Sequence, residues 1–196
     1  MKAMLLGRRR FAVLTVPLAA GAAAAACSSP DPRYYSIVAR SGPALPAGPK
    51  VVRVKDIGLA SYLDRREIVR SSEGYRLDIM ANDWWGEPLA SMLNRVLVLE
   101  LSQRLTGSSV YGESGAINVD ENATVGVNIQ RLDGDKAGAL ILIAQVAIDF
   151  NRPRRTAARN FNISRPLATP DIAGLVAAIS DAIGELADGI VGMLQP

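Results

Sequence analysis

Between residues 87 and 105 of this 196-residue chain, Leu89, Leu93, Val96, Leu97, Leu101 and Leu105 recur near every 3.6 positions. That period places them on one stripe of a helix. Pro88 fits its first turn, where a missing amide proton costs nothing, and Asp83 stands close enough upstream to cap it. A second helix is expected after Thr169-Pro170-Asp171, with Thr169 as N-cap, because Ile172, Leu175, Val176, Ile179, Ile183, Leu186 and Ile190 repeat the same spacing almost to the C-terminus. Gly174, Gly184, Gly189 and Gly192 each weaken it.

Elsewhere the period is two. "RYYSIVA" (33–39) reads as a strand, and after a Pro/Gly loop "KVVRVKDIGL" alternates Val52 and Val54 with Arg53 and Lys55. "REIVRS" and "GYRLDI" suggest a hairpin around residues 71–74, and "SSVYG" a short strand after the first helix. "ATVGVNIQRLDGDKAGALILIAQVAIDF" holds two strands, with Asp133-Gly134 as the turn signal. "RRTAARNFNIS" returns as a further antiparallel strand, with Phe161 and Ile163 on its buried side. Strands in hairpins and two helices predict an α+β fold: a mostly antiparallel sheet packed on one face against two long helices, in a single domain over residues 33–196.

The N-terminus departs from this pattern. Lys2, Arg8, Arg9 and Arg10 precede 16 apolar residues, Phe11 to Ala26, which are rich in alanine and interrupted by Pro17 and Gly21. A membrane span needs about 20 apolar residues, so residues 1–26 read as a secretory signal peptide. Cys27, the only cysteine, follows Ala24-Ala25-Ala26, an arrangement that resembles a bacterial lipobox with alanine where leucine is usual. The other reading is a general A-x-A cleavage site beside an incidental cysteine. A lipidated Cys27 would anchor the chain, with residues 27–32 as a short tether. "GRRRFAV" resembles the twin-arginine export pattern and equally suits an ordinary basic n-region, so both export routes stay open.

Charge then changes meaning. Four of the 22 cations and none of the 19 acids precede Cys27, leaving a net charge of −1 beyond the signal despite +3 for the whole chain. A near-neutral domain offers no electrostatic footprint for nucleic acid. No histidine and no second cysteine occur, which excludes thiol catalysis and the usual zinc sites; no cofactor is expected. "ESGAINVDEN" (113–122) gathers acids without the ligand alternation of a calcium loop and reads as a solvated loop. "NRPRRTAAR" (151–159) holds four arginines, suited either to anionic lipid head groups or to a solvated edge strand blunted by charge.

Both tryptophans, Trp84 and Trp85, stand together in "NDWWGEP". Adjacent residues of a strand point in opposite directions, so one is expected in the core and the other at a surface. "YYSI", "VVRVKDIGLASYLDRREIV" and "YRLDIMANDWWGEPL" together resemble the PqiC family of ABC-transport auxiliary lipoproteins. The resemblance rests on Tyr62, Leu63, Asp64, Arg65, Ile68 and Val69, then on Trp85, Gly86, Glu87, Pro88 and Leu89, and it fades in the C-terminal half.

It implies a non-enzymatic lipoprotein on the periplasmic face of the outer membrane. Its partners would be a periplasm-spanning MCE-domain protein and the associated ABC transporter, in a system moving lipid between membranes; a homo-oligomer is left open. Tyr62, Leu63, Arg65, Trp84, Trp85, Glu87 and Pro88 become the candidate partner-binding positions. Two other classes compete: a lipoprotein regulator or scaffold of a cell-wall synthesis complex, and a hydrolase using Asp64 and Glu67 or Asp83 and Glu87.

Overall fold

A computed structural model describes residues 31–117 and 119–195. The signal segment, Cys27 and most of the tether lie outside the described residues. From Pro32 onward the chain forms one compact unit. Its elements are β1 (Arg33–Tyr35), β2 (Val51–Val54), β3 (Gly58–Leu59), β4 (Glu67–Ser71), β5 (Asp78–Trp85), α1 (Leu89–Arg104), β6 (Ser109–Gly112), β7 (Ala123–Gly134), β8 (Ala139–Asn151), β9 (Arg154–Pro166) and α2 (Ile172–Leu194).

The long strand β7 is the spine of the sheet. Along one edge it pairs antiparallel with β8, which pairs antiparallel with β9. Along the other edge it meets three short strands in succession, all parallel: β2 near its start, β3 at its middle and β4 at Gly134. Farther out, β6 joins β2 in parallel, β5 joins β4 antiparallel, and β1 joins β5 in parallel. The sheet is therefore mixed, not mostly antiparallel. Its hairpins are the ones the sequence marks, β4–β5, β7–β8 and β8–β9; every other pairing joins segments distant in sequence. Only α2, at 23 residues, is long; α1 has 16.

Alternation builds one buried face. Ala123, Val125, Val127 and Ile129 of β7 face inward with Leu140, Leu142, Ala144, Val146, Ile148 and Phe150 of β8. A register shift between Ile129 and Arg131 puts Gln130 in a bulge, so that Leu132 still reaches the core. The helices pack on each other, α1 along β6 and α2 along β7, β8 and β9. Every apolar position that the 3.6-residue period assigns to the two helices is buried, as are Phe161 and Ile163 of β9.

Three local expectations shift by a few residues. Asp83 lies inside β5 and does not cap α1, whose N-cap is Pro88 with no side-chain cap. The β7–β8 turn spans residues 135–138, where Gly138 has φ +80° and the Asp135 carboxylate accepts from Ala137 and Ala139; Asp133 and Gly134 are still strand. The N-cap of α2 is Asp171, which accepts from the Gly174 amide at 2.8 Å while the Thr169 hydroxyl donates to it at 2.6 Å. These two bonds hold the Asp171 carboxyl below its ordinary pKa, the Thr169 contribution being the larger.

The α2 glycines are not equivalent. A methyl group on Gly189 would lie 2.3 Å from the ring of Phe161, whereas one on Gly192 would meet nothing. Gly189→Ala is expected to cost about 1–3 kcal/mol through overpacking, although alanine is the better helix former. Gly192→Ala is expected to stabilise by up to about 1 kcal/mol. Urea unfolding of the two variants checks this, and shifts of the same sign would contradict the packing.

Candidate functional site

The register of β5 decides what each tryptophan does. Trp85 faces inward and is 6% exposed, seated in the main core. Trp84, on the opposite face, is partly exposed. Its indole Nε1 donates to the Ala81 carbonyl at 2.9 Å, which fixes the ring without covering it. Tyr34, 65% exposed, meets it edge-on with centroids 5.9 Å apart, an arrangement aromatic pairs favour. The Arg66 guanidinium stacks 4.0 Å from the indole centroid. Pairing explains why these residues meet: Tyr34 lies opposite Trp84 in the β1–β5 register, and Glu67 opposite Trp84 in the β4–β5 register.

Backbone bonds lock the neighbourhood. The Trp85 amide donates to Arg66 and the Gly86 amide to Tyr35. Behind the groove, Asp83 is buried and accepts from the Tyr35 hydroxyl at 2.9 Å while pairing with Arg33 at 2.8 Å. Burial first, and then the bond to Asp83, pushes the Tyr35 phenol up. Glu87 pairs with Arg95. The Glu67 carboxyl is held below its usual range by its own backbone amide and by Arg66.

The resulting groove, about 460 Å³, is lined by Tyr34, Arg65, Arg66, Trp84, Glu87 and Pro88 among others. The structure thus brings five of the seven expected positions to one place: Arg65, Trp84, Glu87 and Pro88 at its surface, with Trp85 beneath. It separates the other two. Leu63 is 3% exposed and part of the core. The Tyr62 hydroxyl is committed to buried Asp133, donating at 2.7 Å beside Ser72 and Arg131, and burial together with this bond pushes its pKa up to about 12. Leu63 thus lies inside the fold, and Tyr62, partly buried, stands apart from the groove.

Tyr34 and Arg66 belong to this groove without any motif in the sequence marking them. Alternation across "RYY", with Tyr35 inward, would have put Tyr34 outside; nothing local signals that Arg66 reaches across to Trp84. The "ESGAINVDEN" acids are taken up separately: Glu121 pairs with Arg53, and Glu113 accepts from the Asp56 amide. Among the described residues no three His, Cys, Asp or Glu side chains group as a metal site. What the groove offers is a stacked aromatic surface flanked by guanidiniums and carboxylates, suited to binding.

No curated protein matches the chain. Solved structures share the fold. One, a crystal structure of an uncharacterized protein, is 19% identical with a TM-score of 0.71, covering 85% of this chain and all of the other. Another, XCC0632 from Xanthomonas campestris, of family DUF330, is 21% identical with a TM-score of 0.66, covering 82% of this chain and 93% of that one. Residues 35–191 match the family model described as ABC-type transport auxiliary lipoprotein component. With a match running from β1 to the last turn of α2, this chain belongs to the family of ABC-type transport auxiliary lipoproteins.

Proposed function

We propose that the protein is a non-catalytic auxiliary subunit of an MCE-type ABC lipid-transport system, anchored through Cys27 to the periplasmic face of the outer membrane. Membership in the auxiliary lipoprotein family makes it a component of an ABC-type transport system; the MCE partner, the outer membrane and the absence of catalysis extend that membership. The observation that carries it is the Tyr34–Trp84–Arg66 groove. A rigid aromatic surface costs little side-chain entropy to bury against a partner, and tryptophan, tyrosine and arginine dominate protein contacts energetically. Of the acids near it, Asp83, Glu67 and Glu87 are engaged in ion pairs with Arg33, Arg66 and Arg95, which suits a positioning role.

Tethering also supports a binding role. β1 begins at Arg33, six residues after Cys27. A chain extends at most about 3.5 Å per residue, so the anchor would hold the Tyr34 side of the groove within roughly 25 Å of the bilayer. Such confinement raises the effective concentration of even a weak site.

Two measurements test the proposal. Cys27→Ala is expected to abolish labelling by a clickable fatty acid and to release the protein from membranes; unchanged labelling would remove the anchor from the account. Photo-crosslinking in cells from the Tyr34 position should capture an MCE-domain protein. Capture of a cell-wall synthase instead would favour the scaffold reading.

A further inference from the structure

The far end of the sheet, where β8 turns into β9, carries charge of a different kind. Arg33, Arg66, Arg70, Arg95 and Arg131 are each tied to a carboxylate. Other cations are not so tied, and the β8–β9 turn gathers a group of them. Lys50, Arg152, Arg155 and Arg159 are all exposed, and among the described residues none has a carboxylate within ion-pair distance. The acids of this region have other partners: Glu121 pairs with Arg53, and Asp149 accepts from the Thr156 hydroxyl at 2.8 Å.

Register explains how they converge. Arg155 lies opposite Phe150, and Arg159 opposite Val146, so both project on the helix side of the sheet. There Arg155 stacks 3.8 Å from the Phe150 ring and Arg159 4.8 Å from the Phe161 ring. Lys50 is brought alongside by the loop preceding β2. Together with Pro49, Phe150, Pro153 and Leu194, Lys50, Arg152 and Arg155 line an open cavity of about 310 Å³ that contains no acidic side chain.

We propose that this cavity binds the phosphate head group of an anionic phospholipid. A guanidinium placed over an aromatic ring, as Arg155 is over Phe150, keeps N–H groups free, and such groups match phosphate oxygens. The apolar floor suits the glycerol and first methylenes that follow a head group, which an acidic peptide would not need. Unpaired basic residues near an anionic lipid surface each contribute enough to matter, and their effects accumulate. The site is remote in the sheet from the tryptophan groove, and it stands on its own charge and lining; it does not depend on the transport reading.

The test uses the soluble unit from Pro32 to Pro196, which contains the whole core and lacks the anchor. It should sediment with phosphatidylcholine vesicles containing phosphatidylglycerol, and not with phosphatidylcholine alone. Arg152→Gln with Arg155→Gln should weaken this roughly tenfold or more. Arg70→Gln with Arg165→Gln removes the same charge elsewhere and should leave binding nearly intact. Circular dichroism confirms that each variant is folded. Equal loss in both double variants would reduce the effect to net charge and overturn the site. So would no vesicle binding, displacement by inorganic phosphate as efficient as by lipid, or tighter binding of polyglutamate than of the anionic vesicles, which would mark a protein partner.

Discussion

Arg104→Ala is expected to lower the stability of the domain by about 3–5 kcal/mol, the usual cost of removing one partner from a buried charged network. Arg104 is 1% exposed, at the last turn of α1. Its Nε donates to Asp188 of α2 at 2.6 Å, Nη2 to the Gly184 carbonyl at 3.1 Å, and Nη1 to the Arg40 carbonyl at 2.9 Å. One guanidinium therefore ties both helices to the segment after β1. Gly42 packs so closely that a methyl group there would sit 2.4 Å from the guanidinium. At about 2–4 °C per kcal/mol for a domain of this size, the melting temperature should fall by about 10 °C. A loss under about 1 kcal/mol in urea unfolding would show that the network is not holding the helices together.

Its neighbour Glu100 behaves differently. Fully buried, it accepts from the Arg40 amide at 2.7 Å, and its second oxygen has no hydrogen-bond partner. Burial outweighs the pull of that amide and of Arg104, so the carboxyl is pushed above its ordinary pKa. A folded state that keeps its proton longer than the unfolded chain gains stability below the ordinary glutamate pKa. That gain is lost as pH rises through the raised value. Glu100→Gln should therefore flatten stability against pH in the window just above the ordinary glutamate range. Parallel profiles for parent and variant would refute this assignment.

The tryptophan pair gives the second large effect. Trp85→Ala is expected to cost about 3–5 kcal/mol, as other large aromatic truncations in cores do, because its ring is enclosed by the core. Trp84→Ala loses a cation–π contact and an edge-on aromatic contact, worth about 0.5–1.5 kcal/mol each. It should stay folded yet fail to support envelope integrity or to crosslink its partner. Equal destabilisation of the two variants would leave no basis for a binding surface at Trp84.

Much of this was legible without coordinates, and the reason is periodicity. A helix that buries one stripe must repeat apolar residues every 3.6 positions, so Leu93, Leu97 and Leu101 announce their own burial. The same pattern carries a further signal: Glu100 and Arg104 fall on that apolar stripe at i and i+4, where a charge survives only with a partner. Alternation likewise marked Val52 and Val54 as inward and divided the tryptophans between core and surface.

What local pattern does not encode is which strands meet. A hairpin is set by its turn, so β4–β5, β7–β8 and β8–β9 follow from nearby residues. The parallel pairings of β2, β3 and β4 with β7 follow from long-range burial, and no short stretch specifies them. The functional geometry depends on those pairings. Sequence alone determined that Cys27 follows a signal-like segment, that two helices cover a sheet, and that "WWGEP" presents one indole outward. Tertiary structure alone decided that Tyr34 and Arg66 complete the Trp84 groove, that Tyr62 is spent on Asp133, and that Lys50 joins Arg152 and Arg155 around one cavity. Each of these depends on side chains from separate strands or loops approaching within a few ångströms, and only the folded sheet sets that distance.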